Sequence, residues 1–471
     1  CMARLSNVTK QVRARLAARV DGMYLRYFRC QCVWLAFCAR RAGRAVLGLG
    51  RLALCLYFLS PQARGTDFPC SKVITGTSQR GLDSQLKMNE KIKILYLTDK
   101  VTFGGTPLQM IELISHLQPD EFSARLVALS AVHAALRKRV LAMRMPVEEI
   151  GCGNWTQPAA LPAVVRLFRT IKAMRPHIVH AYLTTGNVLG AVLGKCAGVP
   201  WVITSHRDLG GFDGKWITIA NRWTDRFFAD VVTVNSFAVK QAVLERAKLA
   251  NKRFEVLYNG IDSAKITDAH TARKRRPKLG LQPQDFAIAV VANFRPAKGQ
   301  DIAVRAFARM SEKQPQAFLL FFGAETDRQY AEKVREIVRR HGLAQRVKFM
   351  GVCEHVPRWL GAVDVLLAPS LTEGFSNTIL EAMAAGVVVI ASAVGGTVEQ
   401  IVDGETGYLV PPADADALAE KVQTVLECSE KRLAMGKAAR QSVCEKFSLE
   451  KTVAAHERLY RSLMRSTSIT A

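Results

Sequence analysis

The stretch Pro369–Gly386 reads PSLTEGFSNTILEAMAAG and lies between two strand-like runs, Val363–Leu367 and Val387–Ala391. Short apolar runs bounded by turn residues are the mark of strands buried on both faces. Between them the segment predicts a loop, carrying Glu373 and Gly374, and then a helix over Asn377–Ala385 with Ser376 as its cap. The unpaired amides of Phe375, Ser376, Asn377 and Thr378 then meet the positive end of the helix dipole, a geometry that suits an anion such as a phosphate. Gly374 lets the backbone come close to a ligand. Glu381, one turn into the helix, is placed to accept hydrogen bonds from vicinal hydroxyls such as those of a ribose, and Glu373 to reach sugar hydroxyls. Either acid alone reads as a solvated surface group. At one strand–loop–helix junction they read as a site.

Outward from this segment the same alternation repeats. Towards the N-terminus lie strands at Ala287–Ala292, Ala317–Phe322 and Val347–Met350, with helices at Gln300–Met310 and Arg328–His341; beyond Ala391 comes a helix at Thr397–Val402. A basic, proline-containing stretch, 273–283, separates this array from an earlier one. The earlier array has strands at Ile92–Leu97, Ala124–Leu129, His177–His180, Trp201–Thr204, Val231–Val234 and Phe254–Leu257, with helices between. After its first strand come Gly104 and Gly105, then Thr106, Pro107 and Gln109, which together predict a capped helix start with a capping box. Strand–helix alternation implies parallel sheets covered on both faces. The fold class is therefore α/β, with two facing doubly wound, Rossmann-like domains, and ligands expected outside the carboxyl ends of the strands.

The Pro369–Gly386 segment resembles the E-x7-E signature of the glycogen-synthase-like retaining glycosyltransferases, glycosyltransferase family 4, whose fold is called GT-B. Other motifs follow in the family's order: Gly104–Gly105, His206 within Thr204–Arg207, Asn259–Gly260–Ile261–Asp262, Pro296–Gly299, Gly395–Gly396 with Glu399, and Gly404–Gly407. The resemblance runs roughly over Lys91–Val410. It implies a nucleotide-diphosphate sugar as donor, held mainly by the second domain, with transfer to a glycan or lipid-linked acceptor under retention of configuration in cell-envelope or exopolysaccharide synthesis. In the family a Lys and an Arg bind the donor's diphosphate. Lys298 matches the Lys, whereas the Arg position five residues earlier holds Asn293, so the phosphate role falls on Arg295 in the same loop. The implied donor-binding set is Gly104, Gly105, Asn293, Arg295, Lys298, Gly374, Phe375, Ser376, Asn377, Thr378 and Glu381; the implied catalytic set is Glu373, His206, Lys298 and Arg295. No cofactor or metal is expected, since positive groups and helix amides stand in for a cation and no D-x-D pair sits at a strand end. Closure about Asp262–Leu281 and the C-terminal tail is expected to exclude water.

The chain has 471 residues, 49% of them hydrophobic, enough for more than one core. Its formal charge of +26 calls for an anionic partner. No finger spacing, RNA-binding aromatic signature or P-loop is present, so nucleic acid is not expected. Residues 1–65 concentrate the basic charge around the apolar stretches Cys32–Cys38 and Ala45–Ser60, each short of the ~20 residues that span a bilayer. This segment is expected to lie on an anionic membrane surface, which makes the protein cytoplasmic and peripheral to the inner face; a true span, or a disordered or mistranslated extension, are the alternatives. Residues 66–90 read as a linker, 91–272 as the acceptor domain, 273–283 as a second linker, 284–446 as the nucleotide-sugar domain, and 447–471 as a helix crossing back. The eleven cysteines include no C-x-x-C pair, which fits a reducing compartment. Competing functions are a nucleotide-sugar epimerase or other enzyme on the same frame, and a non-catalytic membrane-bound scaffold.

Overall fold

The computed structural model describes residues 90–469, apart from 144, 211–214, 248, 250–251, 268 and 354–355. The basic segment 1–65 and the linker that follows it, save its last residue, lie outside the described residues. Two parallel sheets organise the rest. The first has seven strands: β1 (Ile92–Thr98), β2 (Phe122–Ala128), β3 (Val147–Glu149), β4 (Ile178–Tyr182), β5 (Trp201–His206), β6 (Val231–Val234) and β7 (Arg253–Val256), in the order β3-β2-β1-β4-β5-β6-β7. The second has six: β8 (Phe286–Val291), β9 (Ala317–Phe322), β10 (Val347–Gly351), β11 (Val365–Ala368), β12 (Val388–Ser392) and β13 (Tyr408–Val410), in the order β10-β9-β8-β11-β12-β13.

The strands form where the sequence can fill both faces. Ile94–Leu97 has no exposed surface, and neither do Val231, Val232 and Val234. Each sheet reverses its winding beside its first strand, at β1/β4 and at β8/β11. Those reversals open crevices at the carboxyl ends of the strands. The loops after β1, β5, β8 and β11 converge there.

Several expectations need correction. β3 and β13 were not foreseen; each is three residues long at a sheet edge, too short to show a period. The first helix, Gly105–His116, begins one residue before Thr106, with Gly104 as a cap that has no side chain to offer. Gln109 does not close a capping box: its amide donates to the Gly260 carbonyl (2.9 Å) and accepts from the Gly260 N–H (3.2 Å). The stretch 273–283 is not a free tether. Ala272, Leu279 and Leu281 are buried in the second lobe's core, and Arg276, 3% exposed, donates to Asp364 Oδ2 (2.6 Å) and to the carbonyls of Ala362 and Asp285. A buried guanidinium needs such partners on every side.

The chain passes between lobes twice, and the passages lie side by side. Ile261 N–H donates to Phe447 O (2.9 Å) and Leu449 N–H to Ile261 O (3.1 Å). The helix Ser429–Lys446 packs on the second lobe through Ala439 and Val443. The helix Leu449–Ile469 belongs to the first lobe: Leu449, Val453, Leu459, Tyr460 and Leu463 are part of its core, and Tyr460 hydroxyl meets that of Tyr96 at 2.8 Å.

Candidate functional site

The loops after β8 and β11 and the start of the helix Asn377–Ala384 form one wall of a cavity between the lobes. Gly105, Thr106, Arg207, Asn235 and Asn259 supply the other. From the second lobe, Lys298, Ser370, Glu373, Phe375, Ser376, Asn377 and Thr378 line it.

On that wall Lys298 Nζ donates to Glu373 Oε2 at 2.6 Å, and Ser370 Oγ donates to the same oxygen at 3.3 Å. Gly299, at φ 64°, turns the chain here; a side chain at this position would strike the Pro369 carbonyl. Ser376 caps the helix through the Ile379 amide (3.4 Å), as its position predicts. Its own N–H is not open to a ligand: it donates to Gln400 Oε1 (3.0 Å), whose amide returns a bond to Ser376 O (2.8 Å). The amides of Phe375, Asn377 and Thr378 have no hydrogen-bond partner among the described residues. A lysine, a carboxylate and open helix-start amides therefore face one cavity, a setting for an anion that also carries hydroxyls.

The first lobe reaches the same helix start. Asn259 Nδ2 donates to Asn377 Oδ1 (2.8 Å), and Asn377 Nδ2 donates to Gly105 O (3.1 Å). Glycine at 105 leaves room for this contact, since a Cβ there would lie 3.0 Å from Asn377 Nδ2 and press the amide aside. Asn259 also accepts from Arg207 Nη1 (2.8 Å), while the Arg207 guanidinium lies 5.1 Å from the centre of the Tyr182 ring. Behind the cavity the lobes are pinned by Glu399, which accepts from the Phe237 and Ala238 amides and from the Tyr258 hydroxyl, each at 2.9 Å. Glu399 so caps a helix of the opposite lobe, Phe237–Ala247.

The remaining residues singled out from sequence stand apart from this lining. Asn293 is exposed, and its Oδ1 accepts from the Ala324 amide (3.0 Å), a link between the loops after β8 and β9. Arg295 is exposed and donates to Thr326 Oγ1 (3.3 Å). Gly104 precedes the lining residue Gly105. Gly374 is the seam between lobes: a Cβ there would collide with the Arg207 carbonyl, and Ser236 Oγ donates to Gly374 O (2.9 Å). Glu381 has no charge partner among the described residues, and burial raises its carboxyl from 4.5 to about 7. His206 turns into the first lobe, to a neighbouring pocket with Arg222, Asp225 and Arg246. Its Nε2 lies 2.9 Å from Asp225 Oδ2; burial disfavours the ring's charge, but the Asp225 carboxylate outweighs it and the pKa is raised.

Arg207, Asn259 and Gln400 do at this site what spacing did not announce. Arg207 and Asn259 sit inside the Thr204–Arg207 and Asn259–Asp262 motifs, so their neighbours carried the signal. Gln400 carried none. The one D-x-D spacing near a strand, Asp414–Asp416, opens a helix, where Asp414 accepts from the Asp416 (3.0 Å) and Ala417 (2.9 Å) amides. Among the described residues no cluster of three or more His, Cys, Asp or Glu is arranged to hold a metal.

Residues 103–265 match the family described as Glycosyltransferase Family 4, and residues 271–442 the family described as Glycosyl transferases group 1. Among curated relatives, the N-acetyl-alpha-D-glucosaminyl L-malate synthase of Bacillus anthracis is 32% identical over 50% of this chain and 61% of its own. The lipopolysaccharide core biosynthesis mannosyltransferase LpsB of Rhizobium meliloti (strain 1021) is 29% identical over 45% of this chain and 61% of its own. The chain thus spans about three fifths of these relatives' length. Among solved structures, Anabaena Alr3699/HepE in complex with UDP and glucose superposes with a TM-score of 0.71 at 24% identity, covering 79% of this chain and 100% of that one.

Proposed function

We propose that this chain, which belongs to glycosyltransferase family 4 and has the GT-B fold, transfers a sugar from a nucleotide-diphosphate donor to a glycan or lipid-linked acceptor with retention of configuration. One observation carries the reading: the Lys298–Glu373 pair faces the open amides of Asn377 and Thr378 in a cavity that both lobes line. A diphosphate entering there competes with Glu373 for Lys298. It binds the ammonium and the helix amides, and the released Glu373 carboxylate turns to the sugar hydroxyls. Departure of the nucleoside diphosphate then builds charge where fixed positive groups already wait, the preorganised stabilisation that replaces a metal ion. Retention follows from attack on the face the diphosphate leaves, a diphosphate oxygen taking the acceptor's proton. Arg207 lines the cavity and is the second cation best placed for the diphosphate, in place of Arg295.

The donor is supported by the neighbour of like fold solved with UDP and glucose, and an envelope glycan as acceptor by the lipopolysaccharide relative. Attachment to the cytoplasmic face of an anionic membrane through residues 1–65 is part of the same proposal. Among the described residues no helix is long and apolar enough to cross a membrane.

The test is a screen of nucleotide sugars with membrane extract as acceptor source, reading release of UDP, GDP or ADP. We expect one donor to be consumed, and Lys298→Ala to slow that reaction by about 10²–10³-fold. A scaffold built on this fold predicts neither; no release from any donor, with no heat of binding for any nucleoside diphosphate, overturns the proposal.

A further inference from the structure

The helix Lys215–Phe227 is inside out. Surface helices bury an apolar stripe and expose a polar one. Here the buried side chains among the described ones are polar: Asn221 is 8% exposed, Thr224 2% and Asp225 1%. The outward stripe is apolar. Ile219, Trp223 and Phe227, spaced i, i+4 and i+8, are 44%, 41% and 54% exposed, and the two rings stack with centroids 5.0 Å apart. Arg226 edges this stripe with no ion-pair partner among the described residues, its guanidinium 5.6 Å from the Phe227 ring centre, and the exposed Arg222 stands between the stripe and the His206 pocket that it also lines. Exposed aromatics flanked by unpaired arginines match a bilayer interface: the rings enter the headgroup boundary and the guanidiniums meet lipid phosphates. An acidic partner without an apolar face would satisfy the arginines but leave the rings solvated.

We propose that this helix is a second membrane contact, lying in the plane of an anionic bilayer and independent of residues 1–65. Its 13 residues, about 20 Å long, cannot span and so lie flat. The face opposite the stripe, through Thr218, Asn221 and Asp225, lines the pocket that holds His206. Docking therefore holds that pocket about 10 Å, one helix diameter, from the membrane surface.

The test uses the full chain with sedimented vesicles of phosphatidylglycerol or of phosphatidylcholine. Trp223→Ser with Phe227→Ser should weaken binding to phosphatidylglycerol vesicles by about tenfold or more, with the melting temperature unchanged. Arg226→Gln should weaken binding to phosphatidylglycerol and leave phosphatidylcholine untouched. In brominated phosphatidylglycerol, Trp223→Phe should lose part of the tryptophan quenching seen in the unaltered chain. Unchanged vesicle affinity overturns the proposal. So does a fall in melting temperature in the double variant, which would make the stripe a packed face, and so does loss of self-association without loss of vesicle binding, which would make it an interface between copies.

Discussion

Glu381 is the residue whose chemistry most depends on where the fold puts it. Half-buried and without a charge partner among the described residues, its carboxyl is shifted up by desolvation to about 7. The folded protein thus binds a proton that the unfolded chain releases near 4.5, so stability falls as pH rises through that window and is lowest above it. Glu381→Gln removes the penalty. Its melting temperature should exceed that of the unaltered chain at pH 8 and approach it only below about pH 4.5, a gain on the order of 2 kcal/mol at the higher pH. If the ribose reaches Glu381, as the family resemblance implies, its hydroxyls need the ionised form, and nucleotide affinity measured by calorimetry should drop as pH falls below about 7 and lose that dependence in the variant. The cations of the site make a sharper contrast. Arg207→Ala should cost turnover on the scale of Lys298→Ala, about 10²-fold or more. Arg295→Ala, an exposed group tied to Thr326, should leave kcat/KM within a few-fold of normal; parity of Arg295→Ala with Lys298→Ala would return the phosphate role to that loop.

At the scale of elements, the sequence announced most of what is long and apolar. The Asn377 helix, its Ser376 cap and the interior strands were legible because each carries its own signal: a periodic stripe, a capping hydroxyl or a continuous apolar run. What escaped notice depends on partners remote in the chain. Gln109 looked like half of a capping box, yet it binds Gly260, 151 residues away. Arg276 looked like linker charge until Asp364 claimed it. The Ser376 amide looked free until Gln400 filled it. His206, which the resemblance puts in the catalytic set, has Asp225 as its partner in a pocket beside the cavity. Glycines are the clearest case. A doublet in a loop says that a backbone approaches something, not what it approaches. Gly374 approaches the Arg207 carbonyl of the opposite lobe. Gly374→Ala should therefore hold the lobes apart, lowering kcat/KM by about 10²-fold with little change in melting temperature, and small-angle scattering should show a larger radius of gyration. An unchanged radius with lost activity would place the defect inside the loop.

Across the whole molecule, catalysis and cohesion share one seam. The contacts that assemble the cavity, Asn259 with Asn377, Ser236 with Gly374 and Glu399 with the Phe237 helix, are also those that hold the lobes together. Opening to exchange nucleotide must break several at once, so closure is cooperative. Tyr258→Phe, which removes one bond to Glu399, should loosen that seam: faster nucleotide dissociation by stopped flow, with the lobes' own melting unaffected.

The helix Leu449–Ile469 completes the core of the lobe that begins at β1. During synthesis the amino-terminal lobe emerges first yet lacks Tyr460 and Leu463, side chains of its own interior, until the other lobe's core residues have followed it out. The carboxyl-terminal lobe, whose buried core among the described residues runs from 266 to 447, can finish before it. The usual order of birth and maturation is reversed, and a ribosome that stalls before the helix Leu449–Ile469 is made leaves an older half still waiting for its keystone.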